Sequence, residues 1–446
     1  MVLVLGVLAL AGCSGAEADQ VRRPAGAHVT IRVPADAPTI SAAVSVAQQG
    51  DLVLVAPGTY HESVRITTAH VTLRGESRDK VVIDGELRQP NGVVVTAPGV
   101  AVENLTVRGN TQNGVLVTGS VKAADTQPGQ GGYDTGDEPV RFLDSFLVSH
   151  VTSTRNGLYG IYAFSARNGV ITDSYTSGGA DSGIYVGQCK PCHVVVQDNV
   201  AEYNAVGVEG TNASGEMYFV RNRITGNRVG LTTGSDHQEK LLPQQGAVVA
   251  GNLIAGNQQA ATPEQADGGW GIGVGVDGGS GNQIVRNRIT GNVNAGVVLT
   301  ATQDIAPDGN TIAGNTFAGN AVDVGWTFPT PTKGHGNCLT ATTARTVPAG
   351  LATTSPCPRS GSPSAVAPPG RSSSSAVSPS GTWTGPTPPP GIPFNEVAPP
   401  PAQPQFPNAT TTGATTVPAV PALPNLAQLT PPAPSLLAAQ ALANAS

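Results

Sequence analysis

The sequence predicts an all-β solenoid, a parallel β-helix, and three observations carry that prediction. Glycine followed by an aliphatic residue recurs at Gly160-Ile161, Gly183-Ile184, Gly207-Val208 and Gly230-Leu231, at steps of 23, 24 and 23, and again at Gly273-Val274 and Gly296-Val297, a step of 23. Asparagine pairs five residues apart run beside it: Asn199/Asn204, Asn222/Asn227, Asn252/Asn257, Asn287/Asn292 and Asn315/Asn320. Short β-branched runs such as Val194-Val195-Val196 and Gly169-Val170-Ile171 fill the rest of each unit, so one period holds several brief strands separated by polar turns.

A unit this small cannot bury its own apolar face and must stack on copies of itself. Equivalent positions then lie one rung apart, about 4.8 Å, with aliphatic residues stacked inside and asparagine amides hydrogen-bonding from coil to coil at the turns. Leucine-rich repeats would need leucine and a helix in every unit, and propeller blades need periods near 40. Composition agrees. Gly 56 and Pro 37 among 446 residues disfavour helical bundles, and a net charge of -6 with 12% charged residues leaves no basic surface for nucleic acid.

The chain opens with an apolar run over residues 1–12, too short to span a bilayer, followed by a linker over 13–33. Thr39-Ile40-Ser41-Ala42-Ala43-Val44 begins a stretch with apolar residues at helical spacing and reads as an N-terminal cap helix ahead of a first strand at Asp51-Leu52-Val53-Leu54-Val55. The β-helix is expected over 34–328, with its last coil near 322–328. Three excursions, 122–140, 233–245 and 258–269, interrupt the period and read as loops that build a working groove. A C-terminal cap segment follows over 329–357. From 358 to 446 the chain turns to Pro, Ser, Thr and Ala, and residues 356–446 hold 22 of the 37 prolines but only Arg359, Arg371 and Glu396 as charges. Such a tail buries too little apolar area to offset its ordering entropy and is expected to be extended, mobile and disordered.

Besides Cys13, four cysteines remain, and an even number in an exported chain favours disulfides. The simplest pairing is Cys189 with Cys192 and Cys338 with Cys357. Cys189-Lys190-Pro191-Cys192 has redox spacing too, but it follows a strand without opening a helix, and no second ligand pair is spaced for zinc.

Two resemblances add to this reading. Leu10-Ala11-Gly12-Cys13 resembles the lipobox of bacterial lipoproteins, which implies removal of 1–12, lipidation of Cys13 and attachment to a membrane of the bacterial cell envelope, outside the cytoplasm. The stretch from Pro34-Ala35-Asp36-Ala37-Pro38-Thr39 to Gly58-Thr59-Tyr60-His61-Glu62 resembles the opening of pectin-lyase-like right-handed β-helix proteins. Asn156-Gly157-Leu158-Tyr159-Gly160-Ile161-Tyr162, Ala180-Asp181-Ser182-Gly183-Ile184-Tyr185 and Asn199-Val200-Ala201-Glu202-Tyr203-Asn204 look like coils of bacterial parallel β-helix domain proteins. Together they cover about 34–326 and imply a single-stranded right-handed solenoid, with no one reaction attached.

Aligning coils on the repeating glycine places Tyr162, Tyr185, Glu209 and Thr232 in one outward column, with Ile161, Ile184, Val208 and Leu231 inward. Tyrosine rings can stack on sugar C–H faces, and carboxylates accept from sugar hydroxyls. Tyr159, Tyr162 and Thr232 are therefore substrate-binding candidates, and Asp181, Tyr185 and Glu209 catalytic ones. Tyr185 would act as a base in lyase or epimerase chemistry, which also needs a cation or donor for the uronate. Asp181 and Glu209 on neighbouring rungs would form the carboxyl pair of a glycoside hydrolase. A second column, His150, Asp173, Asp198 and Arg221, marks turns charged chiefly for solvation. The acidic loop Tyr133-Asp134-Thr135-Gly136-Asp137-Glu138 offers carboxylates to calcium but matches no calcium-loop pattern, and no other cofactor is expected. With Asp236, His237, Glu239 and Lys240 it could wall a groove.

The expectation is thus a lipid-anchored protein that binds or processes an envelope or extracellular polysaccharide. The alternative is a non-catalytic scaffold or an accessory factor for metalloenzyme maturation, although Met 2 and His 7 speak against copper ligation.

Overall fold

The computed structural model describes residues 27–126, 139–328, 334–341, 344–358 and 383–442. Three parallel sheets of twelve, eleven and ten strands run the length of the molecule, and each coil contributes one strand to each sheet. The eleven-strand sheet contains Ile161–Phe164, Ser182–Cys189, Val206–Ala213, Val229–Gly234, Ile272–Asp277, Ala295–Thr300 and Val322–Thr327 on successive rungs. The expected register holds: Ile161 pairs with Ile184, then Val208, Leu231, Val274 and Val297 in turn. Gly230 and Gly273 are therefore adjacent rungs, and the long step between them is one coil carrying the two loops 233–245 and 258–269.

These aliphatic residues are fully buried in one continuous core, each stabilising the stack by about 1.5–3 kcal/mol. Two asparagine ladders stand at the corners. Asn199, Asn222, Asn252, Asn287 and Asn315 link amide to amide at 3.0–3.1 Å, and Asn204, Asn227, Asn257, Asn292 and Asn320 at 3.0–3.2 Å. From Asn222 and Asn227 onward, each side-chain oxygen also accepts from the backbone N–H of the asparagine one rung back, as from Asn222 to Asn252 at 2.8 Å. The corner thus satisfies buried backbone donors that no ladder bond reaches. Asn104 and Asn212, at glycosylation-like triplets, are likewise buried, donating to Gly75 and Asp236 carbonyls.

The second charged column is a backbone feature. Asn104, His150, Asp173, Asp198, Arg221, Gly251, Arg286 and Gly314 follow equivalent strands, and all have φ between 50° and 67°. This left-handed corner turns the chain from the twelve-strand sheet to the ten-strand sheet. Asp198 there pairs with Arg221 (Nε 2.9 Å), away from the groove described below.

The ends depart from expectation. A strand, Thr30–Val33, precedes the cap helix Ile40–Val46 and pairs with Leu52–Val55, so the solenoid begins inside the stretch read as linker. The helix is capped by Thr39, whose side chain accepts from the Ala42 N–H. At the other end Cys338–Thr340 and Thr346–Val347 still add strands beyond residue 328, and the short helix Leu351–Thr354 follows. Cys338 is bonded to Cys357, and Cys189 to Cys192. The second pair is fully buried, which suits a staple and denies a redox partner access. Cys13 and the acidic loop 133–138 lie outside the described residues.

The expectation of a free tail is corrected for 383–442. Proline keeps this segment extended, but it lies along the β-helix, and arginines of the solenoid donate to its carbonyls: Arg228 to Pro389, Arg155 to Val397, Arg78 to Pro404 and Arg288 to Pro432, at 2.5–3.0 Å. Val397 is fully buried, and Leu426 and Leu429 pack on Val195, Tyr218 and Val248. Extended proline-rich backbone has no internal hydrogen bonds, so its carbonyls are open to such donors. Near its end the described tail forms a short 3-10 turn, Ala438–Gln440.

Candidate functional site

The outward face of the eleven-strand sheet carries the predicted column. Leu116, Tyr162, Tyr185, Glu209, Thr232, Gly275, Val298 and Gly325 pair in register along it. Its aromatic end is closed. Tyr162 is 5% exposed and packs with Tyr159 and Tyr185, ring centroids 4.5–5.1 Å apart, beneath the helix Val121–Ala124. Tyr162 therefore offers no open stacking face and does not line the groove, because the excursion after residue 120 folds back over it. Tyr185 also departs from its expected role: its hydroxyl donates to Glu239, and burial beside that carboxyl pushes it well above 10. It is a buried support and, already protonated at neutral pH, cannot serve as a base.

Beyond the tyrosines the column opens into a groove of about 610 Å³. Glu209, Thr232, Gly275 and Asp277 rise from the sheet, while Ser235, Asp236, Gln265 and Asp267 come from the loops 233–245 and 258–269. Two of the predicted excursions thus wall the site. Among the described residues the lining includes Asp181, Glu209, Asp236, Asp267 and Asp277 but no Lys, Arg or His. Glycine at 234 and 275 keeps the strand surface between Glu209 and Asp277 free of bulk.

Asp181 and Glu209 meet at one hydroxyl. Ser182 Oγ lies 3.4 Å from Asp181 Oδ1 and also donates to Glu209 Oε2, which puts those oxygens within about 6 Å, the span of two hydrogen bonds. Thr211 donates to the other Glu209 oxygen at 2.9 Å, and Tyr159 donates to Asp181. Burial and then the charge of Asp181 push Glu209 up to about 8. Burial raises Asp181 too, partly offset by the Tyr159 and Ser182 hydrogen bonds. Desolvation and then the charge of Asp267 raise the half-buried Asp277 to about 6. Two close carboxylates cannot both ionise cheaply, so the pair retains a proton near neutral pH. Among the described residues no three His, Cys, Asp or Glu side chains converge to hold a metal ion.

Asp277, Asp267 and the Tyr185–Glu239 contact were missed by sequence reasoning. A signal for Asp277 existed: four residues after each repeating glycine stand Thr211, Gly234, Asp277 and Thr300, which the register pairs in one column. Asp267 and Glu239 sit on aperiodic loops, where no repeat predicts a neighbour.

Residues 91–244 match the family model described as right handed beta helix region. Comparison with curated proteins finds no match. Among solved structures, the chain is similar to the A-module of a mannuronan C-5 epimerase of Azotobacter vinelandii, at 14% identity over 66% of this chain and 91% of that one, TM-score 0.39. It is similar to a DFA-IIIase of Arthrobacter chlorophenolicus at 14% identity over 64% and 83%, TM-score 0.43. An alginate lyase of a Paenibacillus species aligns at 17% identity over 65% and 96%, TM-score 0.35. The domain is a right-handed parallel β-helix.

Proposed function

We propose that the groove binds a neutral polysaccharide and hydrolyses a glycosidic bond, with Glu209 as proton donor and Asp181 as its partner carboxylate. The observation that carries this is the Asp181–Ser182–Glu209 arrangement: two carboxyls on one hydroxyl, within about 6 Å, one of them held neutral. Retaining glycosidases place their carboxyls about 5–5.5 Å apart. Glu209 would protonate the departing glycosidic oxygen as Asp181 attacks the anomeric carbon. Water, losing its proton to the Glu209 carboxylate, would then release the sugar and regenerate both groups. Tyr159 and Ser182 orient Asp181, and Thr211 orients Glu209.

Removal of the proton alpha to a uronate carboxylate fits the groove worse. That chemistry needs a cation or donor to neutralise the uronate, and among the described residues this lining is acidic without a basic side chain. The test is a screen of neutral and uronate polysaccharides for new reducing ends, followed by NMR of the released anomer. We expect cleavage of a neutral glycan with retained configuration, lost at least 100-fold in both Glu209→Gln and Asp181→Asn. Inversion would shift the partner role to Asp277, and cleavage of uronate polymers alone would refute the reading. The same proposal places the protein in the cell envelope, tethered through a lipid on Cys13. Fatty-acid labelling that survives Cys13→Ala would refute that part.

A further inference from the structure

The column that carries Glu209 does not end at the groove. It continues through Gly275 and Val298 to Gly325, and there the tail lays Trp383 over the sheet. The indole packs with Ala295, Val298 and Val322, alongside Ile272 and Val347. Ile272 and Val298 also line the groove, so ring and groove share a wall. Indole Nε1 donates to Asn294 Oδ1 at 2.9 Å, which fixes the ring's orientation. Gly325 makes the seat: a methyl group there would overlap the indole, and the three nearest atoms it would meet all belong to Trp383. Of the three tryptophans, Trp326 is fully buried and Trp270 lies 8% exposed near the Arg228 guanidinium, whereas Trp383 keeps a solvent-accessible part.

We infer that Trp383 is a distal sugar-binding platform, so that the proline-rich tail completes the glycan site of the β-helix; this rests on the glycan reading above. Glu209 and Gly325 are four rungs apart, about 19 Å along the axis at a spacing of about 4.8 Å. A glycan lying along the sheet from the carboxyl pair would therefore meet the indole only when several units long. An indole face suits the C–H face of a neutral sugar, and Ile272 and Val298 give the wall beside the ring an apolar surface.

The test titrates the full-length chain with neutral malto-, cello-, manno- and fructo-oligosaccharides of two to eight units, by calorimetry and tryptophan fluorescence. For the series that binds, affinity rises with length, and the fluorescence change appears only with long oligomers. Trp383→Ala weakens long oligomers about three- to tenfold and leaves short ones unchanged. Trp383→Phe retains most of the affinity, and Gly325→Ala, which unseats the indole without removing it, reproduces Trp383→Ala. Wild-type affinity for long oligomers in Trp383→Ala, with binding otherwise intact, overturns the platform alone. Equal loss for short and long oligomers also overturns it, since that marks a structural role. If the wild-type chain binds no oligomer of any length, the glycan reading falls and the platform with it.

Discussion

Replacing Glu209 by Gln isolates the cost of keeping a carboxyl in the groove. The group rises from 4.5 to about 8 on folding, which withholds from the ionised folded state an amount on the order of 5 kcal/mol. A raised carboxyl leaves stability untouched below its unfolded value. Stability is then lost as pH climbs from about 4.5, where the unfolded chain releases its proton, and the loss levels off above about 8, where the folded chain does too. Glutamine keeps one acceptor oxygen, turns an NH2 donor toward the other of the Ser182 and Thr211 hydroxyls, and never ionises. Asp181 and Asp277 shift in the same direction and persist in both proteins, so the difference between the curves reports Glu209 together with its coupling to Asp181. Groove water and local relaxation reduce the full figure, and urea unfolding at pH 5, 7 and 9 should show Glu209→Gln gaining about 2–4 kcal/mol on wild type between the extremes. Parallel curves, within about 0.5 kcal/mol at every pH, would refute the argument that this carboxyl is desolvated and held neutral.

Two further outcomes follow from the scaffold. Asn252→Ala removes the acceptor for Asn222 N–H and the donor to the Phe219 carbonyl. It should lower stability by about 3 kcal/mol, against about 1 kcal/mol for the less buried Asn315→Ala, measured by urea unfolding. Arg78→Ala breaks bonds to Thr152, Asp173, Val151 and the Pro404 carbonyl at once. Limited proteolysis should then cut within 383–442 several-fold faster than in wild type, while unchanged cleavage would mean that the arginine does not hold the tail.

Most of the scaffold was legible because stacking forces repetition into the text. A residue in a β-helix contacts its equivalents one coil away, so selection for a buried aliphatic or a corner amide leaves a mark every 23 residues or so, and Ile161, Ile184, Asn222 and Asn252 display it. The Tyr185–Glu209 adjacency was readable on the same ground. Burial was not: the register places Tyr162 on the outer face but does not say that Val121–Ala124 will cover it. Proline content likewise predicts an extended tail without predicting the arginines that hold it, since Arg78 and Pro404 share no period.

The sequence by itself determined the fold, its direction of stacking and the column on which Glu209 stands, because those depend on local patterning repeated at one spacing. Tertiary structure alone decided which loops wall the groove, that Asp277 and Asp267 join it, which carboxyls lose their water, and where Trp383 comes to rest. Those properties arise from aperiodic segments returning across the sheet, and desolvation belongs to everything packed around a group at once.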